Sequence, residues 1–207
     1  NEDSISFSHV KKCDFYLLNL LGIILMKGSF MKLTILGSGT SQGIPVIACE
    51  CAVCRSTDTH DKRLRCSAML EINGQNIVID AGPDFRCQML RAGVKDLRAI
   101  LLTHEHKDHI GGLDDVRAFN WVKQGAVDVY ASLRTKNVVY KDYSYAFSEN
   151  KYPGVPEINL HIVGEESFYI DDTEFIPIPV MHYQLPVFGY RTGNFAYLTD
   201  ANAIPEA

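Results

Sequence analysis

Several features that mark large functional classes are missing from this sequence. No block of five or more like charges occurs, and 20 Lys+Arg against 25 Asp+Glu leave a formal net charge of −5. A dedicated nucleic-acid binder needs a basic stripe to meet phosphates, so a nucleic-acid partner is not favoured. No uninterrupted apolar run is long enough to span a bilayer, which argues against an integral membrane protein and a membrane partner. No repeat or low-complexity tract appears. The glycine-rich stretch Gly37-Ser38-Gly39-Thr40-Ser41-Gln42-Gly43 lacks the Lys-Ser/Thr ending of a P-loop and reads as a flexible turn near a site.

What is present supports one packed domain. The chain has 207 residues, 46% of them hydrophobic and 22% charged, enough to build a core and too apolar for disorder. Residues 1–30 stand apart as an N-terminal extension. They carry the pair Lys11-Lys12 and a mostly apolar stretch from Phe15 to Met26, without a small-x-small cleavage site after it. The domain pattern starts at Met31, which points to translation from Met31 or Met26 with a non-native extension upstream. The domain then covers residues 31–207.

Three of the six cysteines, Cys49, Cys51 and Cys54, fall in one C-x-C-x-x-C window. This spacing is too tight for an ordinary disulfide framework and suits thiolates converging on a structural zinc ion, with a distant His or Cys needed as the fourth ligand. Cys66 and Cys87 read as small core hydrophobes, and Cys13 is isolated. Reduced thiols of this kind suit a cytoplasmic protein.

Periodicity gives a coarse map. Met31 to Ile35 alternates as a half-buried strand. Cys66 to Ile72 and Gln75 to Asp80 are two strands joined by Asn73-Gly74, a hairpin turn. Asp84 to Arg91 is helical, with Phe85, Met89 and Leu90 on one side and Gly93 as its stop. Ala99 to Leu102 is a buried strand. Gly112 to Val122 and Leu133 to Tyr145 are helices, and Val127 to Ala131 a strand. Residues 158–163, 166–171, 174–180, 187–192 and 195–199 are successive strands. Strands with helices inserted between them predict an α/β sandwich.

The chemistry concentrates after the buried strand, in His104-Glu105-His106-Lys107-Asp108-His109. Imidazoles and carboxylates are costly to bury without partners, and this cluster falls at a sheet edge, where loops build sites. His104 and His106, two apart, can point the same way on an extended or turning segment, while Asp108 and His109 lie further round the turn and can face a second ion. Glu105 and Lys107 alternate with them and face away. His60 and His161 lack ligand neighbours. Lys62, Arg63 and Arg65 form a basic segment read as solvated, with a substrate phosphate as the other reading.

His-x-His-x-Asp-His after an apolar strand, with Asp80 upstream in Ile79-Asp80-Ala81-Gly82, resembles the metallo-β-lactamase superfamily. The resemblance extends to His182 in Pro179-Val180-Met181-His182 and to Asp200 in Tyr197-Leu198-Thr199-Asp200. The segment from Gly37 to Pro45, the cysteine knuckle and Phe188-Gly189-Tyr190 narrow it to the PhnP-type phosphodiesterases that act on phosphoribosyl cyclic phosphate. A PqqB-like protein has a similar knuckle. The resemblance implies an αββα sandwich, incomplete at the C-terminus. It also implies two divalent ions, zinc or manganese, one on His104, His106 and His182 and one on Asp108 and His109, with Asp200 bridging. Asp80 would orient ligands, and Asp80 and Asp108 are the candidate catalytic carboxylates. A metal-bridging hydroxide would attack a small phosphodiester substrate. Members of the family carry a later Thr-His-x-x-His-like segment, so a parent protein of roughly 250 residues is expected.

Competing readings remain from this sequence. They are a tRNA 3′-processing nuclease of the same superfamily, a PqqB-like protein, and a catalytically silent zinc-binding module. A homodimer is left open.

Overall fold

The computed structural model describes residues 22–26 and 29–204, with side chains from Met31 onward. Cys13, the Lys11-Lys12 pair and the apolar stretch as far as residue 21 lie outside the described residues. The first sheet contains, in spatial order, β1 (Gly22–Met26), β2 (Ser29–Gly37), β3 (Ser67–Ile72), β4 (Gln75–Ile79), β5 (Ala99–Leu101), β6 (Val127–Ala131) and β7 (Ile158–Ile162). Its first four strands pair antiparallel and its last four parallel. Strand β1 falls within the residues read as an extension and sets Ile24 opposite Met31. The second sheet is antiparallel: β8 (Phe168–Ile170), β9 (Thr173–His182), β10 (Leu185–Thr192) and β11 (Phe195–Tyr197) run 11-10-9-8 across it.

The helices are α1 (Ala52–Arg55), α2 (Phe85–Ala92), α3 (Lys107–Ile110), α4 (Arg117–Lys123), α5 (Leu133–Asp142) and α6 (Ser144–Phe147). Parallel neighbours need long crossovers, and the segments carrying α2, α3 with α4, and α5 with α6 supply them. The large sheet is therefore covered on both sides, and its side-chain alternation sorts the core. Met69, Val78, Ile100 and Val129 face Phe85, Met89, Phe119 and Val139 on the helices. Leu70, Ile77, Ile79 and Leu101 face Phe175 and Tyr190 of the second sheet. The result is the mixed α/β metallo-β-lactamase fold expected from the sequence. No helix among the described residues is long and apolar enough to cross a membrane.

The hairpin at Asn73-Gly74 forms with positive φ at both residues, 51° and 79°, as that dipeptide favours. Four local expectations change. The helix expected from Gly112 to Val122 splits into a 3-10 turn, Leu113–Val116, and α4. The helix expected from Leu133 to Tyr145 breaks at Tyr143, whose hydroxyl donates to the Ile110 carbonyl at 2.7 Å. On α2 the buried face is Phe85, Gln88 and Met89, while Leu90 is 65% exposed. Gln88 turns inward because its amide donates to the Arg65 carbonyl at 2.8 Å. Cys87 is accordingly exposed rather than a core hydrophobe, and Cys66 is half-buried, with its sulfur in hydrogen-bonding contact with Tyr197 and Thr199.

Candidate metal centre

The pocket is assembled where the two sheets are pinned together. The Phe188 amide donates to the Thr103 carbonyl at 3.0 Å, and the Tyr190 hydroxyl donates to the Leu102 carbonyl at 2.7 Å. These bonds hold the segment leaving β5 against β10. Beyond it, the turn from His104 to His109 is clamped onto the segment after β4. The Ala81 amide donates to the His109 carbonyl, and the Gly112 amide to the Ala81 carbonyl, each at 2.8 Å. The clamp is so close that a Cβ at Gly82 would lie 1.9 Å from the Asp108 carbonyl oxygen, and one at Gly112 would lie 2.1 Å from that of Gly82. Only glycine fits at either place.

Asp80 is the keystone of the turn. It is fully buried and held at φ 64°, a left-handed conformation that Asp and Asn tolerate better than most residues. Its carboxylate accepts from the Thr103 amide at 2.8 Å, from the Thr103 hydroxyl at 2.9 Å and from His109 Nδ1 at 2.7 Å. These bonds fix the tautomers. His109 keeps its proton on Nδ1 and turns Nε2 into the pocket. The Thr103 hydroxyl, having given its proton to Asp80, accepts from His104 Nδ1 at 3.0 Å, so His104 also turns Nε2 inward.

The second sheet brings the remote residues. His182 ends β9. Past β11 the chain returns beside it, with the Met181 amide donating to Ala203 at 2.9 Å and the Asn202 amide to Met181 at 2.8 Å. Asp200, at φ 55° in the bend before this pairing, thereby faces the histidines. Its Oδ2 lies 3.3 Å from His109 Nε2, 3.7 Å from His104 Nε2 and 3.8 Å from His182 Nε2. Asp108 Oδ2 is 3.3 Å from His109 Nε2, and His104 Nε2 is 3.0 Å from His106 Nδ1. Donor atoms of His104, His106, His182 and Asp200 all lie within 4.8 Å of one another, as do those of Asp108, His109 and Asp200. The two groups share Asp200.

This donor set fits divalent cations. Buried His109 Nε2 makes no hydrogen bond, although two carboxylate oxygens stand near it. Burial opposes charge on His109, but Asp80, Asp108 and Asp200 outweigh it and hold its pKa well above the usual imidazole range. Burial also opposes the ionised forms of Asp108 and Asp200, yet His109 holds both below the usual carboxylate range. Burial and the neighbouring His109 push His104 down to about 4, which keeps it neutral as a ligand must be. The pocket thus attracts positive charge and offers nitrogen and oxygen donors.

The cysteine knuckle is separate. Sγ atoms of Cys49, Cys51 and Cys54 lie within 4.8 Å of one another, and no fourth His, Cys, Asp or Glu joins them among the described residues. The Val46 amide points at Cys54 Sγ at 3.3 Å. Three thiolates in this arrangement suit one zinc ion.

The remaining polar residues sort themselves. Glu105 pairs with Arg134, and Lys107 with Asp142, both directed away from the pocket. His60 pairs with Asp58, and His161 pairs with Asp128 and stacks on Tyr130. Arg65 pairs with Asp84 at 2.9 Å, which takes that carboxylate from its capping role on α2. Lys62 and Arg63 line a cavity of about 210 Å³ with His60 and Arg91, around the end of β2. Thr103 and Thr199 are contributors that sequence reading missed. The signal was their place immediately before a ligand, two residues past the end of a strand.

The chain belongs to the metallo-β-lactamase superfamily: residues 75–207 match the family described as Beta-lactamase superfamily domain. Within it, the chain is similar to a solved structure described as "Crystal Structure of a New Diphosphatase from the PhnP Family", at 44% identity and a TM-score of 0.78, over 85% of this chain and 67% of that one. It is also similar to a protein named octanoyltransferase from Porphyromonas gingivalis, 44% identical over 176 residues, which are 84% of this chain and 35% of that protein. A ribonuclease Z from Nostoc punctiforme is 27% identical over 165 residues, 78% of this chain and 46% of the enzyme. The chain spans between about a third and a half of the length of these two curated relatives.

Proposed function

We propose that this chain is the metal-holding part of a phosphoester hydrolase of the PhnP type, acting on a small phosphodiester such as phosphoribosyl 1,2-cyclic phosphate. The observation that carries this reading is the pair of donor groups sharing Asp200 in one pocket. In it, His104, His106 and His182 would hold one ion, Asp108 and His109 a second, and Asp200 both. Zinc and manganese both suit such donors, and zinc suits the thiolate knuckle. When bound, two such ions would polarise phosphoryl oxygens and bring the pKa of water near neutrality. The protein's own part is orientation. Asp80 keeps the protons of His109 and, through Thr103, of His104 on the outward nitrogens, so that both lone pairs meet in the pocket.

Hydrolysis of a diphosphate is a second reading, supported by the 44% identical PhnP-family diphosphatase. The net charge of −5 weighs against a tRNA substrate. The transferase name belongs to a relative of which this chain matches about a third, and it supplies no reading of the pocket.

The test is hydrolysis of bis-p-nitrophenyl phosphate, a ribose cyclic phosphate and a nucleoside diphosphate by the protein with added manganese or zinc, alongside His106→Ala. Turnover of a diester that falls at least about 100-fold in the variant supports the reading. Equal rates in both proteins would remove the enzyme reading and leave a zinc-binding module.

A further inference from the structure

Asp200 is approached from behind by a line of hydrogen-bonding side chains drawn from the end of β11, the segment just after it and the residue preceding β3. Thr199 Oγ1 lies 3.0 Å from Asp200 Oδ1, Cys66 Sγ lies 3.2 Å from Thr199 Oγ1, and Tyr197 Oη lies 3.0 Å from Cys66 Sγ. The polarity of this line follows from proton counting. A carboxylate only accepts, so the Thr199 hydroxyl donates to Asp200. Having one proton, Thr199 must then accept from its other neighbour, and the donor there is the Cys66 thiol. Cys66, its proton given to Thr199, accepts in turn from the Tyr197 hydroxyl.

Each link points the same way, from Tyr197 through Cys66 and Thr199 to Asp200 Oδ1. The end result is to engage Oδ1 and leave Oδ2 as the oxygen that faces His104, His109 and His182. Ser67, next to Cys66, donates to the carbonyls of Ile79 and Asp80 at 3.0 and 2.9 Å. Cys66, just before β3, and Ser67, its first residue, therefore brace the side chain behind Asp200 and the backbone of Asp80.

We propose that Cys66 is a positioning residue for the bridging carboxylate, holding Asp200 through Thr199 as a neutral thiol that must stay protonated and reduced. This rests on the reading of Asp200 as a ligand to both ions. Burial pushes both the Cys66 thiol and the Tyr197 hydroxyl upward, which agrees with neutral groups throughout the line. The role differs from that of the knuckle cysteines, which would act as thiolates. It also differs from a small core hydrophobe, because a methyl group in place of the sulfur would leave the Thr199 oxygen without its donor.

The test is a Co²⁺ titration followed by visible absorption, with thermal melting of the metal-free proteins in parallel. The near-ultraviolet thiolate band reports the knuckle and is an internal control that these variants leave unchanged, and the visible d–d absorption that remains after subtracting the part that titrates with that band reports the His/Asp pocket. Thr199→Val and Cys66→Ala are expected to weaken Co²⁺ binding at the pocket by about 10–100-fold, the usual effect of removing a hydrogen-bonding partner of a ligand. Cys66→Ser and Thr199→Ser, which keep a donor and an acceptor, are expected to restore it to within about threefold. A merely structural Cys66 would lower the melting temperature of the metal-free Cys66→Ala protein and leave Co²⁺ affinity where it was, and that result overturns the proposal. Asp200→Asn separates the two levels. If it weakens Co²⁺ binding while Cys66→Ala and Thr199→Val do not, only the positioning role falls. If it has no effect itself, the ligand reading falls and the positioning role with it.

Discussion

The His/Asp pocket and the cysteine knuckle both bring donor atoms within 4.8 Å of one another, yet they are built in opposite ways. The knuckle draws on residues 49–54 alone and is bordered by a small satellite core of Ile44, Val46 and Val53. The pocket draws on residues near 80, 104–109, 182 and 200, from both sheets, and its hidden histidines and Asp80 are held by hydrogen bonds at nearly every polar atom. A local cluster tolerates changes in the rest of the fold, whereas one assembled across two sheets registers them. Four predictions, in order of falling effect, bear on this contrast.

Gly82→Ala is expected to be the most damaging, because its methyl would sit 1.9 Å from the Asp108 carbonyl and force the turn off the segment after β4. A loss of about 4 kcal/mol or more, or failure to fold, should appear in chemical denaturation. A change under about 1 kcal/mol would mean that the clamp is loose. Asp80→Asn keeps the shape but puts an amide against His109 Nδ1–H and the Thr103 hydroxyl. It is expected to cost about 3 kcal/mol and to weaken Co²⁺ at the pocket by about 10–100-fold, with the knuckle band intact. Loss of both signals together would deny that the two clusters are independent.

The pocket contributes its own pH dependence to the stability of the metal-stripped protein. An unfolded His104 takes up its proton near 6.5, and the folded one only near 4, so stability is lost as pH falls across that window. Asp108 and Asp200, depressed in the folded state, add to the loss at lower pH, below their ordinary value of 3.8. His109, raised, contributes stability that is fully present below 6.5 and lost as pH rises through its elevated folded value. Melting temperatures should therefore fall as pH drops from 6.5 to 4, and the fall should be shallower in His104→Gln. Parallel curves would assign the acid limb to other groups.

At the knuckle the expected effects are small. Arg55→Ala removes an ion pair with Glu50 whose side chains are 70% and 85% exposed, and stability should move by less than about 0.5 kcal/mol. A larger shift would show the knuckle to be tied to the domain more tightly than its contacts indicate.

How far the sequence reveals the molecule depends on how local each signal is. The knuckle and the 104–109 turn are contiguous, and the ligand types in them are legible without coordinates. The hairpin at Asn73-Gly74 is legible because two residues in sequence determine its turn. His182 and Asp200 are single residues in ordinary strand contexts. They became candidates only through resemblance, and it takes the pairing of Met181 with Ala203 to bring them to the pocket. Thr103, Thr199 and Cys66 look like common strand residues, and their hydrogen-bonding roles depend on neighbours 23 or 133 positions away. The inward turn of Gln88 was hidden for the same reason, since its partner is a backbone carbonyl on another segment.

Both carboxylates that organise the pocket, Asp80 and Asp200, sit in the left-handed region, at φ 64° and 55°. Few replacements meet both the backbone and the chemical demand there. Glycine keeps the conformation and deletes the acid, asparagine keeps the conformation and reverses half the hydrogen bonding, and glutamate keeps the acid where the backbone disfavours it. Mutational drift at these two positions therefore runs into a wall on every side, and a library randomised at either one should return aspartate almost alone under selection for metal binding.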